Sequence, residues 1–526
     1  MQSASFRFLR VLLVAAIALS GLPLASAQSK WVFPGPNGRL TYTRSSKGDR
    51  IADFSYAGYE GGGVALPNVP IKRTVAPSSG DDTAAIQKAI DEVSALPLVD
   101  GFRGAVELKP GVFHCAKTLN IAASGVVLRG AGLSEAGTTI TMTGDPHLAI
   151  NVAGNLDIAS GGTESDISEA YVPPGRLAVL VADAKGFHAG DEVLIRKPVT
   201  ETWIRHMGMD LLYRPGRDEH WIGSDHLDVR RAIEAIDGNV LTLDAPLMDS
   251  YNAAFFEGGH AIVRKIVVTG QLSHVGVERL RIVAPRRRIA LGDPEFDGLF
   301  MTDTADSWVR QVAAEETTNG IHIDKGTERV TVTECDVVQH DPVTSAGKPF
   351  LFSANGSQLL FDRCTGFGNE TFYFATQARQ QGPVVVLHCN FRGDGHIQPH
   401  QRWSPGLLVD NCEVPHGGID LKNRGIMGSG HGWTTGWSVV WNSTAATLEM
   451  NEPPGIANWS IGNRGFQSNP PMPLYEAHRG NRTQMGDPQL PSVVTESAGK
   501  PVEPASLYLE QLAERLGPQA VKNIGY

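Results

Sequence analysis

Beyond its first two dozen residues the chain has no apolar run near the ~20 residues a membrane helix needs. That excludes a helical span from the rest of the sequence. Cysteine is scarce, with five in 526 residues, and no CxxC or Cys/His pair has zinc spacing. An odd count at wide intervals also argues against a full disulfide framework. Positive charge is in deficit: the net charge is −10. An acidic surface argues against nucleic acid as partner. It does not argue against an acidic sugar polymer, because a local group of arginines can still hold a carboxylate.

The one long apolar run is at the start. Arg7 and Arg10 precede Val11–Leu24, and Ala25-Ser26-Ala27 follows. This is the pattern of a secretory signal, with cleavage expected after Ala27 and a periplasmic or extracellular location. No cysteine follows the run, so a lipid anchor is not expected. Removing the two arginines leaves the mature chain at −12.

The cysteines mark a repeat. Cys335, Cys364, Cys389 and Cys412 are 29, 25 and 23 residues apart, in the contexts VTECD, FDRCT, VLHCN and VDNCE. Leu280 and Val312 extend the column upstream, and Trp441 is the expected member downstream. A period of 20–30 residues made of short β-branched runs and Gly/Asn/Asp turns reads as a β-solenoid of three short strands per turn. Cysteine acts there as a small buried hydrophobe. Bridges between rungs are disfavoured, because strands about 4.8 Å apart rarely meet disulfide geometry.

The N-terminal part agrees. GDDTAAIQKAIDEV (80–93) predicts a helix, N-capped by an aspartate, with Ala85, Ile86, Ala89 and Ile90 on one face. Short strands AVELKPG (105–111), TLNIA (118–122), VVLRGAG (126–132) and TTITM (138–142) follow. A helix there would plug the open end of the solenoid. The succession DDTAAIQKAID, GAVELKPGVF, GVVLRGAG resembles the pectate-lyase superfamily of right-handed parallel β-helices, over about 75–145 and more loosely over the rungs 262–465. The resemblance implies an all-β, right-handed parallel β-helix. It also implies a carbohydrate-active function among polysaccharide lyases, polygalacturonase-type hydrolases and tailspike enzymes. One fold hosts many chemistries, and none of the family's catalytic or calcium motifs aligns residue by residue, so no role is carried over.

The expected organisation is a cap and first rungs over 28–150, a β-rich insertion over 172–250, main rungs over 260–465, and a tail over 466–526 with a short helix. In the insertion, the Trp-, Arg- and His-rich TWIRHMGMDLLYRPGRDEHWIG reads either as a lid or as a packed connection.

The chemistry gathers in HIQPHQRW (396–403) and NRGIMGSGHGW (423–433). The residues five past each column position are Thr317, His340, Asn369, Asp394 and Gly417, expected to stack along one edge near those loops. Arg402, Arg424, Asn423 and Asn369 are candidates to hold a uronate carboxylate. His400 is the candidate base, with His431 or His340 as the acid, and Asp394 joins the catalytic set. Trp403 and Trp433 are candidates to stack on sugar rings; Glu370 and His396 are further substrate contacts. This set favours β-elimination on an anionic polysaccharide. The first alternative is a glycoside hydrolase or transferase using a carboxylate pair among Asp341, Glu370, Asp394 and Asp420. The second is a non-catalytic carbohydrate-binding solenoid. No cofactor is required. Ca²⁺ is one option, on Asp293, Glu295 and Asp297, whose alternation would place three oxygen ligands on one strand face. The oligomeric state is not legible.

Overall fold

The computed structural model describes residues 27–526 except 211, 215–216, 219, 223–225, 291, 342–348 and 471–492. The expected signal segment therefore lies almost wholly outside the described residues.

The chain winds through one large sheet system of 28 strands, whose pairings are parallel and link each turn to the next. Three faces result. The first stacks Glu328–Thr333 on Ser357–Asp362, Val384–Leu387 and Leu407–Asp410. The second stacks Asp336–Val338 on Thr365–Phe367 and Asn390–Arg392. The third stacks Ile321–Ile323 on Phe350–Ala354, Phe372–Thr376 and His396–Ile397. Successive parallel strands joined by crossovers take the right-handed sense that L-residues impose.

The column of small apolar residues marks the inner corner between the first two faces. Ala313 pairs with Asp336, Asp336 with Thr365, Thr365 with Asn390 and Asn390 with Glu413, so Val312, Cys335, Cys364, Cys389 and Cys412 lie one above another. All five cysteines of the chain are buried and free, and burial pushes the Cys335 and Cys389 thiols up. The column ends differently from expectation. Glu413 pairs with Thr444, which puts Ser443 above Cys412, while Trp441 pairs with Asp410 on the first face. The Ser443 hydroxyl accepts the Cys412 N–H at 3.0 Å, so a serine is tolerated inside.

The residue just before each column member sits in the left-handed region: Arg279, Gln311, Glu334, Arg363, His388, Asn411 and Asn442, with φ between 47° and 60°. A one-residue left-handed turn lets the chain switch faces without a loop. Its side chain points outward, which explains why that position is polar on every rung.

The helix Thr83–Ser94 closes the N-terminal end, burying Ile86, Ala89, Ile90 and Val93 against the core. Ala85, expected on that face, is exposed. Asp82 holds the N-cap position but its carboxylate accepts the Ser78 and His114 N–H groups, tying the helix to the preceding loop and the next strand.

The insertion forms a six-stranded antiparallel sheet in the order Asp157–Asp166, Ile262–Thr269, Glu192–Pro198, His226–Asp237, Val240–Leu247, Arg176–Leu180. The two strands at one edge, Asp157–Asp166 and Ile262–Thr269, come from outside the expected 172–250 range, and the sheet has its own core around Val193, Ile195, Ile233, Leu241 and Val263. Arg231 clamps it to the first face, donating to the Gly382 carbonyl at 3.0 Å and to Ser357 Oγ at 3.2 Å. The helix Leu507–Leu516 also packs on that face, where Asp410 accepts the Ser506 hydroxyl and the Tyr508 N–H at 2.7 and 2.8 Å. With the first face covered, the third is where loops and chemistry converge.

Candidate active site on the third face

The outward positions of the third face are set by register. Phe350 pairs with Phe372, Phe372 with His396, and His396 with Gly418; one step along, Asp420 pairs with Glu449. The loops leaving this face carry His400, Arg402, Arg424 and His431 back over it.

His400 is the centre. Its ring lies 5.3 Å from Phe350 and 5.8 Å from Phe372, which stack on each other at 4.9 Å, and His431 meets it edge-on at 4.8 Å. Its Nδ1 lies 3.0 Å from the Gln377 side-chain oxygen. A carbonyl oxygen only accepts, so this assignment puts the proton on Nδ1 and a lone pair on Nε2. Burial, then the Arg424 and Arg402 charges, push the His400 pKa down to about 3. The imidazole is neutral at neutral pH.

Arg424 is buried, donates to the His400 carbonyl at 2.8 Å and lies 5.4 Å over the Phe372 ring. Among the described residues no carboxylate pairs with it, its Nε has no partner, and burial lowers its pKa to about 10. The nearest acid, Asp420, is committed elsewhere. Arg402 donates to the Ser429 carbonyl and hydroxyl at 2.5 and 2.6 Å. Arg402 and Trp403 both have positive φ, 52° and 65°. Two such side chains in succession cost free energy that the surrounding packing must offset.

Beside this group lies a buried ion cluster. Asp420 accepts from His396 Nδ1 at 2.8 Å and from Gln398, and lies 3.3 Å from Lys422 Nζ; Lys422 reaches Glu449 at 2.6 Å. Burial would raise Asp420, but Lys422 and His396 outweigh it and hold the carboxyl below its ordinary value. Burial raises Glu449 against the pull of Lys422.

Several expected roles do not survive. Trp403 and Trp433 are not sugar platforms. Both are buried between solenoid and insertion, their ring N–H groups donating to Asp249 at 2.8 Å and to the Met207 carbonyl at 2.9 Å. An indole satisfied at both its apolar body and its polar tip is core. Asn423 is buried, its side-chain oxygen accepting the Gly425 N–H at 2.8 Å, which shapes the turn, while its Nδ2 is buried with no hydrogen-bond partner among the described residues.

The row five past the column does stack: Asp394 accepts the Glu370 N–H at 2.6 Å, Asn369 accepts the Asp394 N–H at 3.2 Å, and Glu316 binds His340. It stacks at the corner where the chain enters the third face, whereas His400, Arg402, Arg424 and His431 sit where it leaves. Among the described residues no hydrogen bond or ring contact joins His340, Asn369, Glu370 or Asp394 to His400. Asp341 is also at the entry side and pairs with Arg286 at 2.7 Å.

The calcium expectation fails on geometry. The regular strand begins only at Asp297. Asn319 donates to Glu295 and Asp297, both at 2.9 Å, while Asp293 turns back to the Ala290 N–H at 2.8 Å. Among the described residues no three such ligands converge.

Phe350, Phe372, Gln377, Gln398 and Glu449 were missed. The signal for the phenylalanines is the F-x-F of FLFSA and FYFAT on successive rungs: the inner ring of each pair fills the core and the outer one faces the site.

No protein-family model matches the chain, and no curated protein matches it. Solved structures do. A Geobacillus virus E2 protein is 13% identical with a TM-score of 0.38, over 85% of this chain and 65% of its own. A mannuronan C-5 epimerase A-module from Azotobacter vinelandii is 12% identical with a TM-score of 0.35, over 80% and 76%. A tailspike protein of Pseudomonas phage LKA1 is 12% identical with a TM-score of 0.31, over 74% and 69%. The chain thus spans just under two thirds of the first of these. The fold is a right-handed parallel β-helix. That conclusion stands on the strand register; the chemistry of the distant likenesses is not transferred.

Proposed function

We propose that this β-helix is an exported carbohydrate-active enzyme that cleaves a uronate-containing polysaccharide by β-elimination on its third face. The observation that carries the reading is Arg424: a buried guanidinium with no carboxylate among the described residues, beside a neutral imidazole with Nε2 available. A buried cation is costly without a counter-charge, and a uronate carboxylate would supply one.

With the C6 carboxylate held by Arg424 and Arg402, the C5 proton becomes more acidic. It passes to Nε2 of His400, the C5–H electrons form the C4=C5 double bond, and the C4–O bond breaks. His431, edge-on to His400, is placed to protonate the departing O4. The bound carboxylate offsets the two arginine charges that depress His400, so the base strengthens as substrate arrives. Phe350 and Phe372 replace Trp403 and Trp433 as the aromatic surface near the reacting sugar.

A specific observation favours a second reading, glycoside hydrolysis or transfer. Asp420 is held ionised while Glu449 is raised, the divergence that separates a nucleophile or base from an acid. Against it, Asp420 is buried and engaged with His396, Gln398 and Lys422. The test is turnover of a panel of uronic-acid polysaccharides, following ultraviolet absorbance of the unsaturated product and reducing ends in the same wells. Both signals together support elimination. Reducing ends without absorbance overturn it and favour the carboxylates.

A further inference from the structure

A cavity of about 480 Å³ lies away from His400, on the outside of the first face. Its volume is in the range of small-ligand sites. Its floor is one outward row of that face, Arg310, Thr333 and Asp362, in successive register. One wall is the row of left-handed turns carrying Arg279, Gln311, Glu334 and Arg363. The segment Val64–Asn68 makes the opposite wall and Asn523–Gly525 closes one end.

The charges here are uneven. Glu278, fully buried, is shared by Arg129 at 2.5 Å and Arg310 at 2.6 Å, so one carboxylate serves two guanidiniums. Arg310 Nε and Arg363 Nη1 are buried with no hydrogen-bond partner. Arg363 pairs with Asp362 at 2.9 Å. Arg279 is exposed; its carbonyl accepts the Gly132 N–H at 2.9 Å, while its guanidinium has neither ion pair nor hydrogen bond among the described residues. Three arginines line the cleft against two acids, Asp362 and Glu334, the latter 3.5 Å from Arg363, so the surplus positive charge is carried by the exposed Arg279 on a chain of net charge −10. Gln311 donates to Glu334 at 2.7 Å and Thr331 accepts the Tyr59 N–H at 2.8 Å, which leaves the Gln311 side-chain oxygen and the Thr331 hydroxyl hydrogen as the neutral groups for ring hydroxyls.

We propose that this groove is a second, non-catalytic site for a short stretch of acidic glycan, with Arg279 and Arg310 taking a carboxylate and the neutral groups meeting ring hydroxyls. Planar guanidiniums suit carboxylates through paired N–H donors. The inference rests on the reading that the substrate is an acidic polysaccharide, and it adds a place where the polymer is held without being cut. The Tyr526 hydroxyl donates to Asp362 at 2.6 Å, which fixes the end wall and keeps Asp362 from opposing the ligand's charge fully.

The test is calorimetric titration of the full chain with trisaccharides of galacturonate, glucuronate and mannuronate, with maltotriose as neutral control. Each is run on wild type, Arg424→Ala, Arg279→Ala and Arg279→Glu. Arg279 is exposed, so neither substitution threatens folding. One acidic trisaccharide is expected to bind Arg424→Ala, with affinity falling about tenfold or more when Arg279→Ala is added, the loss expected for a charged hydrogen bond. Maltotriose should bind far more weakly. Arg279→Ala should also leave kcat on short substrates unchanged while raising KM on long polymer. If binding is abolished by Arg424→Ala and indifferent to both Arg279 substitutions, the groove proposal is overturned while the third-face reading stands. If binding depends on Arg279 but no polymer is eliminated, the groove stands and the elimination reading falls. If no acidic trisaccharide binds any variant, the groove proposal is overturned.

Discussion

His400 offers a quantitative test, because one geometry predicts both a titration and a stability change. Burial and two arginines take its pKa from 6.5 to about 3. As pH falls through 6.5 the unfolded chain takes up a proton that the folded state refuses, so stability drops; the loss ends near pH 3, where the folded state also protonates. The linkage relation puts the cost at about 2 kcal/mol between pH 8 and pH 5, with a limit of about 5 kcal/mol at lower pH. The perturbation is His400→Gln, which removes the titrating group and keeps an amide near Gln377. Urea unfolding of both proteins at a series of pH values gives the stability difference. Asp362 and Asp410, raised by burial to about 7 and about 6, act in the opposite direction in both proteins and cancel. The wild-type advantage should shrink by about 2 kcal/mol from pH 8 to pH 5. A difference that stays flat, or a His400 ring proton titrating near 6.5 by NMR, refutes the burial and charge argument. A uronate ligand should raise that titration point, since it offsets the arginines.

Other predictions are more direct. Arg424→Ala should lower kcat/KM by about 100-fold or more if the guanidinium stabilises developing charge, with Arg424→Lys recovering part; unaltered turnover rules out the carboxylate clamp. Trp403→Ala should cost about 3–5 kcal/mol in denaturant unfolding, from the lost ring and its hydrogen bond to Asp249, which keeps its pairing with Lys197; lost turnover at full stability would restore Trp403 as a substrate surface. Glu449→Gln should leave elimination largely intact, and a kcat near zero would move the chemistry to the carboxylates. Asp362 keeps a proton in the fold that the unfolded chain loses above 3.8. Its share of stability is therefore complete below that pH and fades as pH rises through about 7, so Asp362→Asn should be the less pH-sensitive protein between pH 5 and pH 8 in thermal unfolding.

What was legible in the sequence follows from how a solenoid stores information. Its core is written locally and repeatedly, so Cys335, Cys364, Cys389 and Cys412 declared their column by spacing and context alone. The polar residue before each one declared a turn, because a left-handed outward position has no use for an apolar side chain. The column slipped only at Trp441. There the large ring pairs outward with Asp410 while Ser443 takes the interior place, and spacing cannot distinguish two residues. Two of the insertion's strands were missed for another reason: Asp157–Asp166 and Ile262–Thr269 are 96 positions apart and pair only in space.

The site was half legible for the same physical cause. Its residues lie on rungs that could be counted, so His400, Arg402, Arg424 and His431 could be placed on adjacent turns. Which corner of the triangular section each occupies depends on how many residues each loop consumes. The count of five past the column reaches the entry to the third face, and HIQPHQRW runs past its exit. That is why His340, Glu370 and Asp394 form a separate stack. Orientation is harder still. Trp403 faces the insertion's core and its neighbour Arg402 the Ser429 backbone; both lie at positive φ beyond the strand His396–Ile397, where no strand pattern assigns a side chain its direction. The same left-handed pair lies within the turn that keeps the Arg402 charge, with that of Arg424, acting on His400, so the backbone feature that defeated the sequence reading belongs to the site.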